Sequence, residues 1–262
     1  MTAFDIVLLG AGNVATHLAP ALHRQGHRIV QVYSRTGSAA KELAGHVGAD
    51  FTADIKALYR GADIYVCALK DDALQTVLER IDDFGQALWL HTSGSMPLSV
   101  LAAHTPRCGV FYPLQSFSKG RALDLEKVPF CLEAAQASDL TLMKELASSL
   151  SCDVREMSSE QRANLHVAAV FASNFANGLY AMAQEILAYD GIDFSILQAL
   201  IEETAAKVSE LEPRLAQTGP AVRGDRRVME RHLAWLKQRG EEEKAQVYRL
   251  MSDLIYERSR KQ

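Results

Sequence analysis

The chain opens on a short apolar run, residues 4–9, rich in β-forming side chains and lacking the alternation of a half-exposed strand. A run of this kind predicts a strand buried on both faces. A helical pattern follows from about residue 14 to 25 and stops at Gly26, and a second apolar run covers 28–33. The alternation then continues. Residues 50–51 read as a short third strand, 63–69 as a fourth, 87–93 as a fifth and 107–114 as a sixth; 129–134 and 152–157 complete the set, with helices near 73–81, 97–103 and 138–150. Strands alternating with helices predict an α/β fold, a doubly wound, mostly parallel sheet covered on both faces.

Past residue 157 the strand pattern is gone. Ser158 and Gln161 have the spacing of a capping box and open a helix expected to run to about 189. Further helices are expected over 194–217, 226–239 and 241–260, the last opening on glutamates and closing on basic residues, as a helix dipole favours. The chain therefore divides into a sheet domain, 1–156, and a smaller all-α domain, 157–262. The helix over 158–189 exceeds the usual globular length and carries many small residues, among them Ala168, Ala169, Ala172, Ala176 and Gly178. Small residues allow close helix approach, so a homodimer through the C-terminal helices is expected.

Gly10-Ala11-Gly12-Asn13-Val14-Ala15 joins the first strand to the first helix. In a β-α-β unit of about thirty residues, this G-x-G-x-x-A turn is the signature of a dinucleotide site. Gly10 permits the tight turn, Gly12 lets the backbone approach a pyrophosphate, Ala15 keeps the helix near the sheet, and the helix N-terminus faces the phosphates. The second strand ends in Ser34-Arg35-Thr36, and no carboxylate occurs between Gly26 and Lys41. An acid there would grip an unphosphorylated ribose. A guanidinium and two hydroxyls suit a 2′-phosphate, so the expected cofactor is NADP(H), seated by Gly10, Ala11, Gly12, Asn13 and Val14, by Ser34, Arg35 and Thr36, and by Ala68 and Leu69 after the fourth strand.

Ligands of doubly wound sheets bind at the carboxyl ends of the strands. That rule selects the loops carrying Lys70 and Asp71, His91 to Ser95, and Tyr112 to Ser118. Lys70 can orient or protonate a carbonyl, Asp71 can instead cap the next helix, and Ser93 can touch substrate or simply shape a turn. Pro113 and Gln115 read as loop-shaping. On the long helix, His166, Ser173, Asn174 and Asn177 fall on one stripe, which suits either an interhelical hydrogen-bond network or a substrate contact by His166 or Asn174. Arg223, in the Gly/Pro turn before an expected N-cap at Asp225, can bind a carboxylate or instead serve a structural role with Asp225. The catalytic candidates are Lys70, Ser93 and His166, and the substrate-binding candidates Asn174 and Arg223.

Composition narrows the field. Hydrophobic residues make up 48% of the 262, and the formal charge is −4 with basic residues scattered, so no nucleic-acid partner is expected. No apolar run approaches a membrane span, no basic leader precedes the first strand, and the four separated cysteines form no metal motif. Buried reduced thiols and a cytoplasmic location are expected.

The stretches "LLGAGNVATHLAPAL", "VYSR", "HTSGS", "YPLQSFS", "NLHVAAVFASNFANGLY" and "TGPAVRGD" together resemble a family of bacterial Rossmann-like NADP oxidoreductases that carry a helical C-terminal domain of unknown function. That family is similar to pyrroline-5-carboxylate reductase, deazaflavin-dependent NADP oxidoreductase and ketopantoate reductase. The resemblance implies a dimeric NADP-dependent reductase with its site between the domains. Lys70 matches a loop lysine of ketopantoate reductases, which points to a 2-keto acid, but a counterpart of that enzyme's acid residue is missing. The Ser/Thr-rich substrate loop of pyrroline-5-carboxylate reductase is also missing. The expected reaction is hydride transfer from NADPH to a C=O or C=N bond of a small carboxylate-bearing substrate. The competing expectation is a non-catalytic NADP(H)-binding regulatory protein.

Overall fold

The computed structural model describes residues 3–260. The chain forms two compact units, Met1–Asn174 and Phe175–Gln262.

In the first unit, β1 (Asp5–Leu9), β2 (Arg28–Tyr33), β3 (Asp50–Thr52), β4 (Ile64–Cys67), β5 (Leu88–His91), β6 (Cys108–Pro113), β7 (Phe130–Ala134) and β8 (Val154–Glu156) make one sheet in the order β3-β2-β1-β4-β5-β6-β7-β8. Strands β1 to β6 pair in parallel; β7 runs antiparallel to β6 and parallel to β8. The sheet is thus the mostly parallel, doubly wound one expected. Helices α1 (Asn13–Arg24), α2 (Gly37–Val47), α3 (Asp71–Leu78), α4 (Ser99–Ala102) and α5 (Ala137–Ser148) connect the strands. Of these, α2 is a helix that the hydrophobic pattern alone did not mark.

The two-residue period of a strand explains the continuous apolar runs. Ile6 and Leu8 of β1, Ile64 and Val66 of β4, and Leu88 and Leu90 of β5 face α1, α2 and α5. Val7, Leu9, Tyr65, Cys67 and Trp89 face the other way, onto α3 and α4. Tyr65 and Trp89 stack at 4.1 Å on that second face. Both faces are dry, so neither can alternate with polar residues.

The sheet ends at Glu156, where the domain boundary was expected, but α6 (Ser159–Ala169) belongs with the sheet unit. Its start is fixed by the expected capping box: Ser158 accepts from Gln161 N–H while the Gln161 side chain accepts from Ser158 N–H. The helical run past α6 is not uniform. A π segment, Val170–Phe175, intervenes before α7 (Ala176–Ala188). The second unit continues with α8 (Gln198–Glu210), α9 (Pro220–Arg223), α10 (Arg226–Gln238) and α11 (Glu242–Ser259). The helix expected over 194–217 ends early, at Glu210: Leu211 is extended, and Pro213 cannot donate to a continuing helix. The second unit buries little: Ala221, Leu236 and Ala245 are its enclosed apolar side chains among the described residues.

Candidate active site

Gly10 follows β1 and could be nothing else. Its φ is +119°, and a Cβ would lie 2.2 Å from the Ala68 carbonyl oxygen and 3.5 Å from Leu69 Cδ2. Ala68 and Leu69 therefore form the wall against which the glycine turn closes, and Gly10 N–H donates to Tyr33 O at 2.7 Å. A Cβ at Gly12, by contrast, would meet nothing within 4 Å, which leaves open space in front of the α1 N-terminus. No side chain caps α1, and its first turn carries no acid. Free amides, a helix dipole and unobstructed backbone are what a pyrophosphate requires, and the residues present fit a dinucleotide.

The phosphate-recognition end has the same character. Thr36 is the N-cap of α2 yet its side chain makes no capping bond, and no acid lies in the first turn. Ser34 Oγ accepts from Thr36 N–H at 3.3 Å, leaving its own proton free to donate. Arg35 is exposed, and no described residue pairs with its guanidinium. These are the features of a shelf for a dianion. Over the start of α1 runs the loop that leaves β6: Asn13 Nδ2 donates to Phe117 O at 2.9 Å, His17 Nε2 lies 3.0 Å from Ser118 O, and the His17 and Phe117 rings meet at 5.4 Å. Asn13 was expected to help seat the pyrophosphate; the tie from its side chain to residue 117 was not foreseen.

The sheet order places β1, β4, β5 and β6 side by side and parallel, so the glycine turn, Lys70, the loop 92–98 and Tyr112 share one sheet edge. Lys70 is exposed there and is itself the N-cap of α3. Asp71 therefore does not cap that helix; it lies in the first turn, where its charge suits the dipole, and accepts a hydrogen bond from Ser95 Oγ. Ser93 Oγ accepts from Ser95 N–H at 3.2 Å and from Met96 N–H at 3.0 Å, which leaves its own proton able to donate. His91 is wholly buried, and its Nδ1 accepts from Ser93 N–H. Burial, aided by the nearby Arg162 charge, lowers its pKa to about 4, so it is neutral and structural.

The contact that draws this edge together involves Tyr112, which opens one of the loops selected by the strand-end rule but was given no role of its own. Tyr112, nearly buried at the end of β6, places its hydroxyl 3.2 Å from His166 Nδ1. The two rings meet edge to face at 6.1 Å. Gly94 is the third member. A Cβ on it would lie 2.7 Å from both His166 Nδ1 and Tyr112 Cζ and 2.9 Å from the Tyr112 oxygen, so only glycine leaves this pair intact. Burial raises the Tyr112 pKa, and the phenol stays protonated.

Arg162, one turn before His166, was also missed. It is fully buried, donating to Glu133 Oε2 and to the Met96 carbonyl, each at 2.6 Å, and to Ser159 Oγ at 3.3 Å. Ser159 Oγ in turn donates to Glu133 and accepts from Leu98 N–H. This network anchors loop 92–98 to the start of α6. A guanidinium in an otherwise plain "EQRANL" carries no pattern that would have marked it as buried.

Ser173, Asn174 and Asn177 are exposed and make no side-chain hydrogen bond among the described residues, so the expected polar network does not form within the chain. The π segment explains part of this, since its extra residue breaks the 3.6-residue phase on which the stripe depended. Arg223 is exposed at the end of α9, and Asp225 caps α10 by accepting from Val228 N–H, as expected; no ion pair links the two. Three cysteines, Cys67, Cys108 and Cys131, are buried and free, but Cys152 is exposed rather than buried. Among the described residues no acid, histidine or cysteine cluster could hold a metal, and no helix is long and apolar enough to cross a membrane.

Fold and turn together define a dinucleotide-binding α/β protein with a helical C-terminal unit. Comparisons with known proteins place it further. Residues 5–89 match the family model described as NADP oxidoreductase coenzyme F420-dependent, and residues 128–255 match a domain of unknown function, DUF2520. The chain is 46% identical to the "putative NADP oxidoreductase BF3122" of Bacteroides fragilis, covering 97% of this chain and 98% of that one with a TM-score of 0.90. The protein TM1727 of Thermotoga maritima is 22% identical, with 97% and 98% covered and a TM-score of 0.73. A reductive aminase of Aspergillus terreus in complex with NADPH shares the fold at 14% identity, with 97% and 93% covered and a TM-score of 0.73. No curated protein sequence matches the chain. The chain belongs to the NADP oxidoreductase family that pairs a Rossmann-like domain with a DUF2520 domain, and its cofactor class is NADP.

Proposed function

We propose that the protein reduces a C=O or C=N bond of a small carboxylate-bearing substrate, a 2-keto acid or cyclic imine, with NADPH as hydride source. The observation that carries this reading is the Tyr112–His166 pair, set beside Gly94 on the same sheet edge as the glycine turn. A hydride acceptor needs a proton donor, and an imidazole held by a phenol is suited to that work. When bound, the cofactor supplies the hydride. The chain's own groups orient the partners and move the proton.

In this reading Gly10, Ala11, Gly12, Asn13 and Val14 hold the pyrophosphate, Ser34, Arg35 and Thr36 the 2′-phosphate, and Ala68 and Leu69 flank the bound dinucleotide. His166 protonates the substrate heteroatom. Lys70 and Ser93 polarise it, and Asn174 and Arg223 bind its carboxylate. The helical unit pairs with a second copy of the chain, a reading supported by Ile196, Leu200 and Leu215, each more than 60% exposed. A cytoplasmic location accords with three free buried thiols.

The test is NADPH oxidation against a panel of 2-keto acids and cyclic imines. Turnover of one class, lost in His166→Ala with unchanged NADPH affinity, is the expected result. Tight NADPH binding with no turnover on any member would favour a regulatory protein. Full activity in Lys70→Ala, Ser93→Ala and His166→Ala alike would remove the assigned site.

A further inference from the structure

We propose that Tyr112 is a positioning residue whose phenolic oxygen accepts from His166 Nδ1–H, so that Nε2 is the nitrogen that gains and gives up the acid proton. This rests on the reduction proposed above, and adds to it the atom that delivers the proton and the residue that selects it.

The geometry carries the inference. A histidine can act through either ring nitrogen, and the hydrogen bond made by one decides the role of the other. His166 Nδ1 is committed to the Tyr112 hydroxyl at 3.2 Å. Its Nε2 has no partner among the described residues, and the side chain is half-buried, neither sealed in nor fully solvated. Tyr112 is fixed from two sides, by the β6 backbone that carries it and by the packing of Val110, Cys131 and Leu165 around it. The glycine at position 94 is what lets phenol and imidazole approach each other at the mouth of loop 92–98. Arg162, bonded to the Met96 carbonyl, holds that loop in place one helical turn from His166.

The roles follow from proton affinity. The phenol, kept protonated by its burial, is a poor acid here, but its oxygen still offers lone pairs to an N–H donor. Of the two group types, an imidazolium is in general the stronger acid. In the reduction, the substrate carbon gains a hydride from NADPH while the carbon–heteroatom π pair moves to the heteroatom. The His166 Nε2–H bond breaks, a heteroatom–H bond forms, and the electron pair stays on the neutral imidazole. Nδ1–H remains on Tyr112 throughout, so the ring need neither flip nor change tautomer before it is reprotonated at Nε2.

The experiment is long-range proton–nitrogen correlation NMR on uniformly nitrogen-15-labelled protein, with His166 assigned from a His166→Gln variant. Neutral His166 should carry its proton on Nδ1 in the native protein, and should shift toward the Nε2–H form in Tyr112→Phe, which keeps the ring and its packing. With whichever panel substrate turns over, Tyr112→Phe should lower kcat about 10- to 100-fold at unchanged KM for NADPH. The Tyr112→Phe/His166→Gln double variant should be no slower than His166→Gln alone. An unchanged tautomer in Tyr112→Phe, or losses that multiply in the double variant, would overturn the proposal. A tautomer change without turnover on any substrate would support the Tyr112–His166 assignment and count against the reductase reading instead.

Discussion

The two compact units treat their apolar side chains in opposite ways. Between residues 3 and 174 the sheet is sealed on both faces by long stacks of fully buried Ile, Leu, Val and aromatic side chains. From Phe175 onward, Ala221, Leu236 and Ala245 are the enclosed apolar residues, while Leu179, Ile196, Leu200, Leu211 and Leu215 are exposed. The second unit adds polar contacts: Lys244 bridges Glu185 and Glu241, and Arg239 lies 3.9 Å over the Trp235 ring. The difference teaches that the first unit folds around its own core, whereas the second leaves most of its large apolar side chains open, the feature on which the proposed pairing rests. Exposed ion pairs contribute too little to replace a core.

Leucine truncation would separate the two cases most sharply. Leu90→Ala, in the sealed sheet, should cost about 2–5 kcal/mol by chemical denaturation. Leu200→Ala should change monomer stability by no more than about 0.5 kcal/mol, yet weaken self-association in sedimentation velocity. Equal stability losses would erase the contrast. The next effect is a pH dependence that arises in the first unit. His91 has a folded pKa of about 4 against an ordinary 6.5, so the unfolded chain takes up its proton first as pH falls. Its stabilising contribution is complete above about pH 6.5 and is lost progressively down to about pH 4, reaching about 3 kcal/mol. His91→Asn should flatten urea-unfolding stability across that window; an unaltered slope would assign the acid sensitivity elsewhere.

Gly94→Ala comes third. Its new Cβ would press on His166 and Tyr112, so turnover should fall about 100-fold while NADPH affinity and melting temperature hold. Arg35→Ala is the smallest effect: NADPH should bind about tenfold more weakly by fluorescence titration, with NADH little changed. Equal weakening of both cofactors would show that Arg35 serves the adenine rather than the extra phosphate.

Much of the sheet unit was legible in sequence because its signals are local. The β1 run, the glycine turn and β2 lie within about thirty residues, whereas the wall that Ala68 sets against Gly10 is 58 residues away and was not part of that signal. The domain order was legible for the same reason. The chemistry was not, since Tyr112, Gly94 and His166 are brought together by strand pairing and the packing of α6, and the Tyr112–His166 bond spans 54 residues. No periodicity carries information over that distance. Ser93 shows the same limit: its residue type at a strand end suggested substrate contact, but not that its oxygen also accepts from Ser95 and Met96 N–H. On the long helix a π segment shifts phase without any change in composition, so the spacing of His166, Ser173, Asn174 and Asn177 did not report which face each occupies.

Arg162 bears on how the molecule comes apart. Its guanidinium joins Met96, 66 residues away, to Glu133, 29 residues away, and can make both bonds only after three distant segments have been assembled. Contacts of that sequence separation are among the last to form, so replacing Arg162 with methionine should leave the refolding rate nearly untouched and accelerate unfolding. The buried arginine would then act as a late latch, setting how long the native sheet unit persists rather than how fast it is reached.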